Sequence, residues 1–581
     1  MNDAIGHATS GLISYLGNKR RILPQIAAEI APFVRDRGRT TFLDPFCGSG
    51  AVARLARHLG CEVAANDSEE YATAVTVPYL ENKADDPAAV FAPFGGIVAV
   101  FDHLNSCRDP GEPYISRHYA PARTDSPRLG RERLFYTAEN ARFLDAVRHE
   151  IERLFPPEAS GLVARGRRIV LASLLHQASV HANTSGVFKA YHRGFGGLGR
   201  DALARIMRPM RLEPPVIGPG PVGGAITGDA ADFVRGRSAD ICYLDPPYAT
   251  HQYGSNYFML TTLLRWDRPA VDDRRDDDGH LLAKAGIRPD WTRTRSAFCS
   301  RRDAAGALAT LLDAVDSRHL IVSYSSDGLI PLDELAELLA SAGELTVSTV
   351  EYTTYRGGKQ SMTRRSRNGE YLFVVDRSRR TTRTATPGSA AVPGSAAVPG
   401  HVTRALAVSR LQELASRRFD PVRMEACFAR GDGWVELAPG WRAGTSDCYR
   451  LELTDPPESI PIASLEEVGA RLAECELADS AVELRLLVRL AVESGGARGY
   501  LRRIPLVLRR FAHRKYRREF DASCALFARA LLVYPCLLRP IAPAVAAIAA
   551  RARERHEVRE ARIRRAGPRG GAAGRRGAAR G

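Results

Sequence analysis

The stretch "TTFLDPFCGSGAVARLARHLGCEVAAND", residues 40 to 67, constrains the fold most. A short apolar run ends on Asp44, a turn holding Gly48 and Gly50 follows, then a helical pattern, then a second apolar run ending on Asp67. Strand, tight glycine turn, helix, strand is the opening of a parallel, doubly wound sheet. In such sheets the ligand sits outside the carboxyl ends of the strands. The two glycines let the backbone approach that ligand closely. A third glycine of the dinucleotide pattern is missing, because Ala53 stands there, and no Walker lysine follows. An acid at the end of the second strand suits the two hydroxyls of a ribose. A glycine turn with no phosphate cradle, plus a ribose-reading acid, points to a nucleoside without phosphates, with S-adenosylmethionine as the obvious candidate.

A second feature lies at 239–250, "ADICYLDPPYAT". A buried strand ends there on Asp245, Pro246, Pro247 and Tyr248. Two prolines remove two backbone donors and fix two φ angles, so strand pairing stops and a stiff lip remains. A lip bearing one carboxylate and one aromatic face suits a flat, polar ligand such as a nucleobase. The ordinary alternative is a plain strand-to-loop turn.

Further strands are expected in "GGAITGDAADFV", "ADICYLDPP", "HLIVSYSS" and "EYLFVV". Residues 82–222 are too long for a connection. Helical patterns such as "TAENARFLDAVRHEIERL" predict an inserted, mostly helical subdomain, closing on the glycine-rich and basic "SGVFKAYHRGFGGLG". The repeat "PGSAAVPGSAAVPG", residues 387–400, reads as a semi-extended linker. The expected domains are therefore 1–380, a linker at 381–400, a helical domain at 401–560 and a basic, disordered tail at 561–581.

The chain has 581 residues and a formal net charge of +16. Residues 501–581 hold 21 Lys plus Arg against 5 Asp plus Glu, so the whole excess sits at one end. Such an end attracts phosphate backbones, although Gly/Arg/Ala tails are often merely solvated. The longest apolar stretch, 524–550, is interrupted by Arg529, Arg539 and prolines, which predicts packed helix rather than a membrane span. Scattered cysteines and no signal pattern predict a cytoplasmic protein without a zinc site or any other metal.

Taken together and in order, these motifs resemble the alpha group of adenine-N6 DNA methyltransferases. Tyr15-Leu-Gly-Asn-Lys19 comes first, then "FLDPFCGSG", "AND" with Asp67, the insertion, "TGDAADF" with Asp229, and Asp245-Pro-Pro-Tyr248; the resemblance covers about residues 12–376. It implies a Rossmann-like class I methyltransferase sheet of α/β class, with S-adenosylmethionine held by Tyr15, Lys19, Asp44, Phe46, Gly48, Gly50, Asp67, Asp229 and Asp245. Tyr15 and Lys19 would cover the methionine end, Lys19 meeting its carboxylate, and Asp229 would receive the adenine amine. Asp229 alone also reads as a helix cap. Asp245 and the Pro246 carbonyl would accept the two N–H bonds of the target adenine, Pro247 would stiffen the lip, and Tyr248 would stack on the base. Since that amine is inaccessible inside a duplex, the adenine must be flipped out. Lys189, His192 and Arg193 in the insertion are the expected DNA contacts. A cognate restriction endonuclease is the implied partner. The alternatives are an RNA adenine or cytosine-N4 methyltransferase, or a non-catalytic nucleic-acid-binding protein on the same fold.

Overall fold

The computed structural model describes residues 2–35, 39–197, 202–353, 367–379 and 398–565, the last with short gaps at 416, 418, 432–433, 447–449, 478–479, 494, 497 and 513–516. The linker repeat up to residue 397 and the tail from 566 lie outside the described residues. The chain divides into two compact units, one covering residues 1–359 and 367–406, the other running from 407 on.

The first unit is built on a seven-stranded sheet. Its strands are β1 (Thr40–Asp44), β2 (Cys61–Asp67), β3 (Gly224–Thr227), β4 (Ser238–Leu244), β5 (Asp316–Ser325), β6 (Glu344–Thr353) and β7 (Arg367–Asp376). They lie in the order β3-β2-β1-β4-β5-β7-β6. The first five run parallel, and β7 is antiparallel to both its neighbours. β1 pairs with β2 on one side and β4 on the other. The winding therefore reverses at β1/β4, and the carboxyl ends there form the crevice in which such sheets bind ligands.

Alternation along the strands fills both faces. Leu43, Cys242, Leu244, Leu320 and Val322 pack with the helices Ala304–Ala314 and Leu332–Ala340. Phe42, Ile241, Tyr243 and Ile321 pack on the other side with Leu23–Ile30 and Ala51–His58. A period of two with both faces apolar is what a parallel sheet covered by helices requires.

Between β2 and β3 the described residues carry several helices, the longest being Ala138–Leu154 and Gly161–Val180. The inserted helices do not close a core of their own. Leu144, Val147, Ile169, Leu174 and Ala178 share one core with Tyr71 and Val75 of Glu70–Glu81 and with Phe258 and Leu263 of Phe258–Arg265. Burying these apolar stripes on helices that flank the sheet ties the insertion to the scaffold.

The boundary after the first unit also moves. Val402 and Leu406, at the start of the helix Gly400–Ala415, are buried in the first unit's core. The expected domain of helices at 401–560 contains a four-stranded antiparallel sheet as well: β8 (Ala429–Gly431), β9 (Trp434–Ala438), β10 (Trp441–Ser446) and β11 (Arg450–Glu452), in the order β11-β10-β9-β8. "WVELAPGWRAG" explains it. Val435 and Leu437 alternate inward, and Pro439-Gly440, with Gly440 at φ +78°, closes a two-residue hairpin. Trp441 is buried beneath it and donates from Nε1 to the Thr454 carbonyl at 3.1 Å. Farther on, Ile504, Val507 and Leu508 of Arg498–Phe511 face a second core that includes Val545 and Ile548. The helix Ala542–Arg565 runs into the region expected to be a disordered tail. By length and composition alone Pro535–Glu554 is apolar enough to cross a membrane, yet Leu538, Val545, Ile548 and Ala552 pack inward.

Candidate active site at the carboxyl edge of the sheet

A cavity of about 560 Å³ opens at the carboxyl ends of β1, β2 and β4. Tyr15, Lys19, Asp44, Phe46, Gly48, Asp67, Asp229, Asp245, Pro246, Pro247 and Tyr248 all line it. Two motifs more than 200 residues apart in sequence thus meet across one space. Gly50 does not line it. At φ +79° it starts the helix Ala51–His58, and a Cβ there would fall 2.6 Å from Thr76 Oγ1.

The turn after β1 is shaped by the loop 15–19. Gly48 has φ +50°, and a Cβ on it would lie 2.8 Å from the Tyr15 ring. Tyr15 is stacked on Tyr253 and Tyr257, with centroids 5.2 and 5.1 Å apart. Leu16 N donates to Tyr257 Oη at 2.6 Å, and Tyr253 Oη donates to the Leu16 carbonyl at 3.2 Å. Gly17, at φ +77°, brings the same loop against the Tyr248 hydroxyl. The first motif is therefore clamped to the segment that follows the lip at 245–248. Tyr253 and Tyr257 are not among the expected site residues, although they lie in "HQYGSNYFMLTTLLRW", a stretch that also resembles the family, and their spacing of four places both on one helical face.

Asp67 takes two backbone N–H bonds at 2.9 Å, from Gly48 to Oδ2 and from Glu69 to Oδ1. Burial pushes its carboxyl up to about 6, and those bonds hold it back. Glu69 also lines the cavity, is 4% exposed, and its Oε1 has no hydrogen-bond partner among the described residues. Burial pushes its carboxyl up to about 7. Asp44 is raised as well, by burial and then by Asp245. Asp229 caps the short helix Ala230–Val234, accepting from Ala231 N at 2.8 Å and Asp232 N at 3.2 Å, and still borders the cavity. Its capping and lining positions coexist.

Lys19 has unexpected company. Its ammonium lies 3.0 Å from Asp245 Oδ1 and also donates to Glu370 Oε1 on β7. It sits 5.2 Å over the Tyr248 ring. Lys19 and Glu370 are 5% and 1% exposed. Burial pulls Lys19 down, but the two carboxylates together hold it well above the ordinary lysine range. Burial pushes Asp245 up to about 7 against the pull of Lys19. Ser323 Oγ donates to Glu370 Oε1 at 2.8 Å. In the sequence Glu370 is legible only as part of the strand "EYLFVV". Arg293–Phe298, also on the rim, spans the end of one short 3-10 helix and the start of another and carries no sequence pattern that marks it.

Lys189, His192 and Arg193 lie outside the cavity lining. Lys189 and Arg193 are exposed and His192 is half-buried. Their loop is joined to the active-site edge, since Phe188 N donates to the Asn256 carbonyl at 2.6 Å, eight residues beyond Tyr248.

Residues 15–275 match the family described as D12 class N6 adenine-specific DNA methyltransferase. Among curated proteins the chain is similar to the type II methyltransferase M.NlaIII of Neisseria lactamica, 27% identical over 370 residues that cover 63% of this chain and all of that protein. It is 26% identical to the type II methyltransferase M.FokI of Planomicrobium okeanokoites and 28% identical to modification methylase LlaI of Lactococcus lactis. Those two matches span 62% and 60% of this chain but only 52% of each relative. The cavity and the motifs that line it agree with these matches: residues 15–275 are similar to the D12 class of N6 adenine-specific DNA methyltransferases.

Proposed function

We propose that this enzyme transfers a methyl group from S-adenosylmethionine to N6 of an adenine flipped out of duplex DNA, as the modification partner of a restriction endonuclease. The observation that carries this reading is the meeting of Asp245-Pro246-Pro247-Tyr248 with Tyr15, Gly48 and Asp67 around one cavity. The cavity suits the donor. Its volume matches a small-molecule site, the Gly48 turn leaves room for a ligand at the backbone, and Asp67 and Glu69 offer acceptors for ribose hydroxyls. When bound, S-adenosylmethionine supplies a methyl group already activated on a sulfonium.

The protein's task is to make a poor nucleophile attack. The exocyclic amine of adenine shares its lone pair with the ring. Asp245 and the Pro246 carbonyl accept its N–H bonds, which favours a pyramidal nitrogen with its lone pair turned toward the methyl donor. Tyr248 stacks on the base. The two prolines hold these acceptors still, so little reorganisation is needed at the moment of reaction. Lys19 holds the Asp245 carboxyl in place and favours its ionised form. Lys189, His192 and Arg193 serve phosphates or base edges of the duplex.

The test is nucleoside analysis of duplex DNA after incubation with the purified protein and labelled donor. N6-methyladenine is expected. Label found only in N4-methylcytosine, or only in RNA, would overturn the reading.

A further inference from the structure

Glu370 has no place in the reaction as described, yet it is among the most deeply buried charges of the first unit, 1% exposed on β7, next to the edge of the sheet. Burying a carboxylate is costly unless it is paired and hydrogen-bonded. Here it is both, with Lys19 and Ser323 donating to the same oxygen, Oε1. Lys19 in turn is the only cation within ion-pair distance of Asp245 among the described residues. The order Ser323–Glu370–Lys19–Asp245 thus runs from β5 and β7 through the N-terminal loop to the catalytic lip.

We infer that Glu370 is a positioning residue of the methyl transfer: it takes up much of the Lys19 charge and fixes the ammonium, so that Asp245 keeps an oxygen for the target amine. This rests on the proposed reading of Asp245. The reason is a balance of charges. With one carboxylate, a buried lysine binds it tightly and competes with the adenine N–H for the same oxygens. With two carboxylates sharing the ammonium, neither is fully satisfied, and the one facing the cavity stays available. Ser323 holds the orientation of the second.

The groups around Asp245 pull in opposite directions. Lys19 from the N-terminal loop favours its ionised form, while Glu370 from β7 and Asp67 from β2 oppose it. Asp44 at the end of β1 is coupled to it with the same repulsive sign. Tyr243 on β4 and Tyr253 after the lip also feel its charge. Removing the Glu370 charge deletes one repulsive partner and leaves Lys19 to Asp245 alone. The Asp245 carboxyl should then titrate at lower pH, and above that titration, where it is ionised with or without Glu370, transfer should be slower because the ammonium occupies the oxygen that the amine needs.

The experiment uses the full chain and its Glu370→Gln and Ser323→Ala variants, with single-turnover methyl transfer to duplex DNA measured from about pH 5.5 to 9 and donor affinity measured separately. Glu370→Gln is expected to lower the transfer rate at least tenfold and to move the acid limb of the pH profile downward by half a unit or more. Its donor affinity should change less than threefold. Ser323→Ala should shift the limb in the same direction by less. An acid limb that stays put in both variants would overturn the inference, whatever the rate. If Glu370→Gln fails to fold, an unmoved limb in Ser323→Ala overturns it alone. Lack of transfer to adenine by the unmodified chain would instead overturn the reading on which it rests.

Discussion

The two units bury different things. At the carboxyl edge of the first, Lys19, Asp44, Asp67, Glu69 and Glu370 are each under a tenth exposed, and all but Glu370 line one cavity. The second unit is built around Leu411, Phe419, Val435, Trp441, Leu465 and Leu472, then Leu484, Leu487, Ile504 and Leu508, while Arg502 and Arg509 of its amphipathic helix Arg498–Phe511 stay exposed. Apolar burial stabilises by about 25 cal/mol per Å² and needs no further reason. A cluster of buried carboxylates works against folding, so its presence in the first unit marks the place where chemistry outweighs stability. Perturbed groups gathered in a cleft are a functional signature for that reason.

The sharpest way to break this comparison is to remove the acceptor on the lip. Asp245→Ala should reduce methyl transfer by about 10²–10³-fold, the range seen when one preorganised polar group is lost from an active site. The melting temperature should hold or rise, because a buried carboxyl raised to about 7 is removed. Near-normal turnover would take Asp245 out of the mechanism.

Asp67→Ala should act on donor affinity instead, by about 1–3 kcal/mol for a buried hydrogen-bonding group left without its partner. It also frees Gly48 N and Glu69 N. Titration calorimetry with the donor separates this from an effect on turnover, and an unchanged affinity would remove Asp67 from the ribose site.

The pH dependence of stability should follow the same charges. Asp67, Glu69 and Asp245 are raised to about 6, 7 and 7. Between about pH 4 and 7 the folded protein therefore holds more protons than the unfolded chain. Stability of the unliganded protein should fall as pH rises through that window. Melting curves check this, and a double Asp67→Asn, Asp245→Asn variant should flatten the slope. A profile that rises from pH 4 to 7 would contradict the burial of these groups as charges in waiting.

How far sequence reasoning reaches follows from the same contrast. Asp44, Asp67 and Asp245 each end a short apolar run, and a charge that stops a strand is visible in one dimension. Glu370 lies inside a strand, and its meaning depends on Lys19, 351 residues away. β6, "ELTVSTVEYT", alternates, but Ser and Thr weaken its pattern below what marks a strand in the sequence. Glu69 reads as one more acid at a helix start. The insertion reads as a subdomain because its apolar stripes show that it packs, not on what. In the second unit the helices are legible, while the hairpin at 434–446 is hidden because arginine and glycine interrupt its second strand.

Among exposed groups the expected effects are smaller. Lys189→Ala and Arg193→Ala change side chains on the surface of the loop joined to Asn256. If either side chain neutralises one phosphate, its removal should lower the salt slope of DNA binding by about one. A change in which sequence is methylated, with the salt slope intact, would instead assign that residue to base readout.

The smallest effect on transfer is expected from removing the second unit, and the position of the cut decides what is learned. A chain ending at residue 399 lacks Val402 and Leu406, which are 0% and 3% exposed in the first unit's core. Each buried side chain of that size contributes about 1.5–3 kcal/mol, so that chain should melt lower for reasons unrelated to the second unit's role. A chain ending at residue 415 keeps the whole helix Gly400–Ala415. Its turnover at saturating DNA should stay within threefold of the full chain. Both chains also lack the basic region 501–581, with 21 Lys plus Arg against 5 Asp plus Glu. If that region holds phosphates, DNA binding by the 415-residue chain should weaken alike for all sequences, with a shallower dependence on salt. Parallel salt slopes for the full and shortened chains would exclude a DNA-anchoring role. A folded but inactive 415-residue chain would show that the second unit contributes to the reaction itself, and the contrast between a charged, working interior and an apolar, supporting one would then fail.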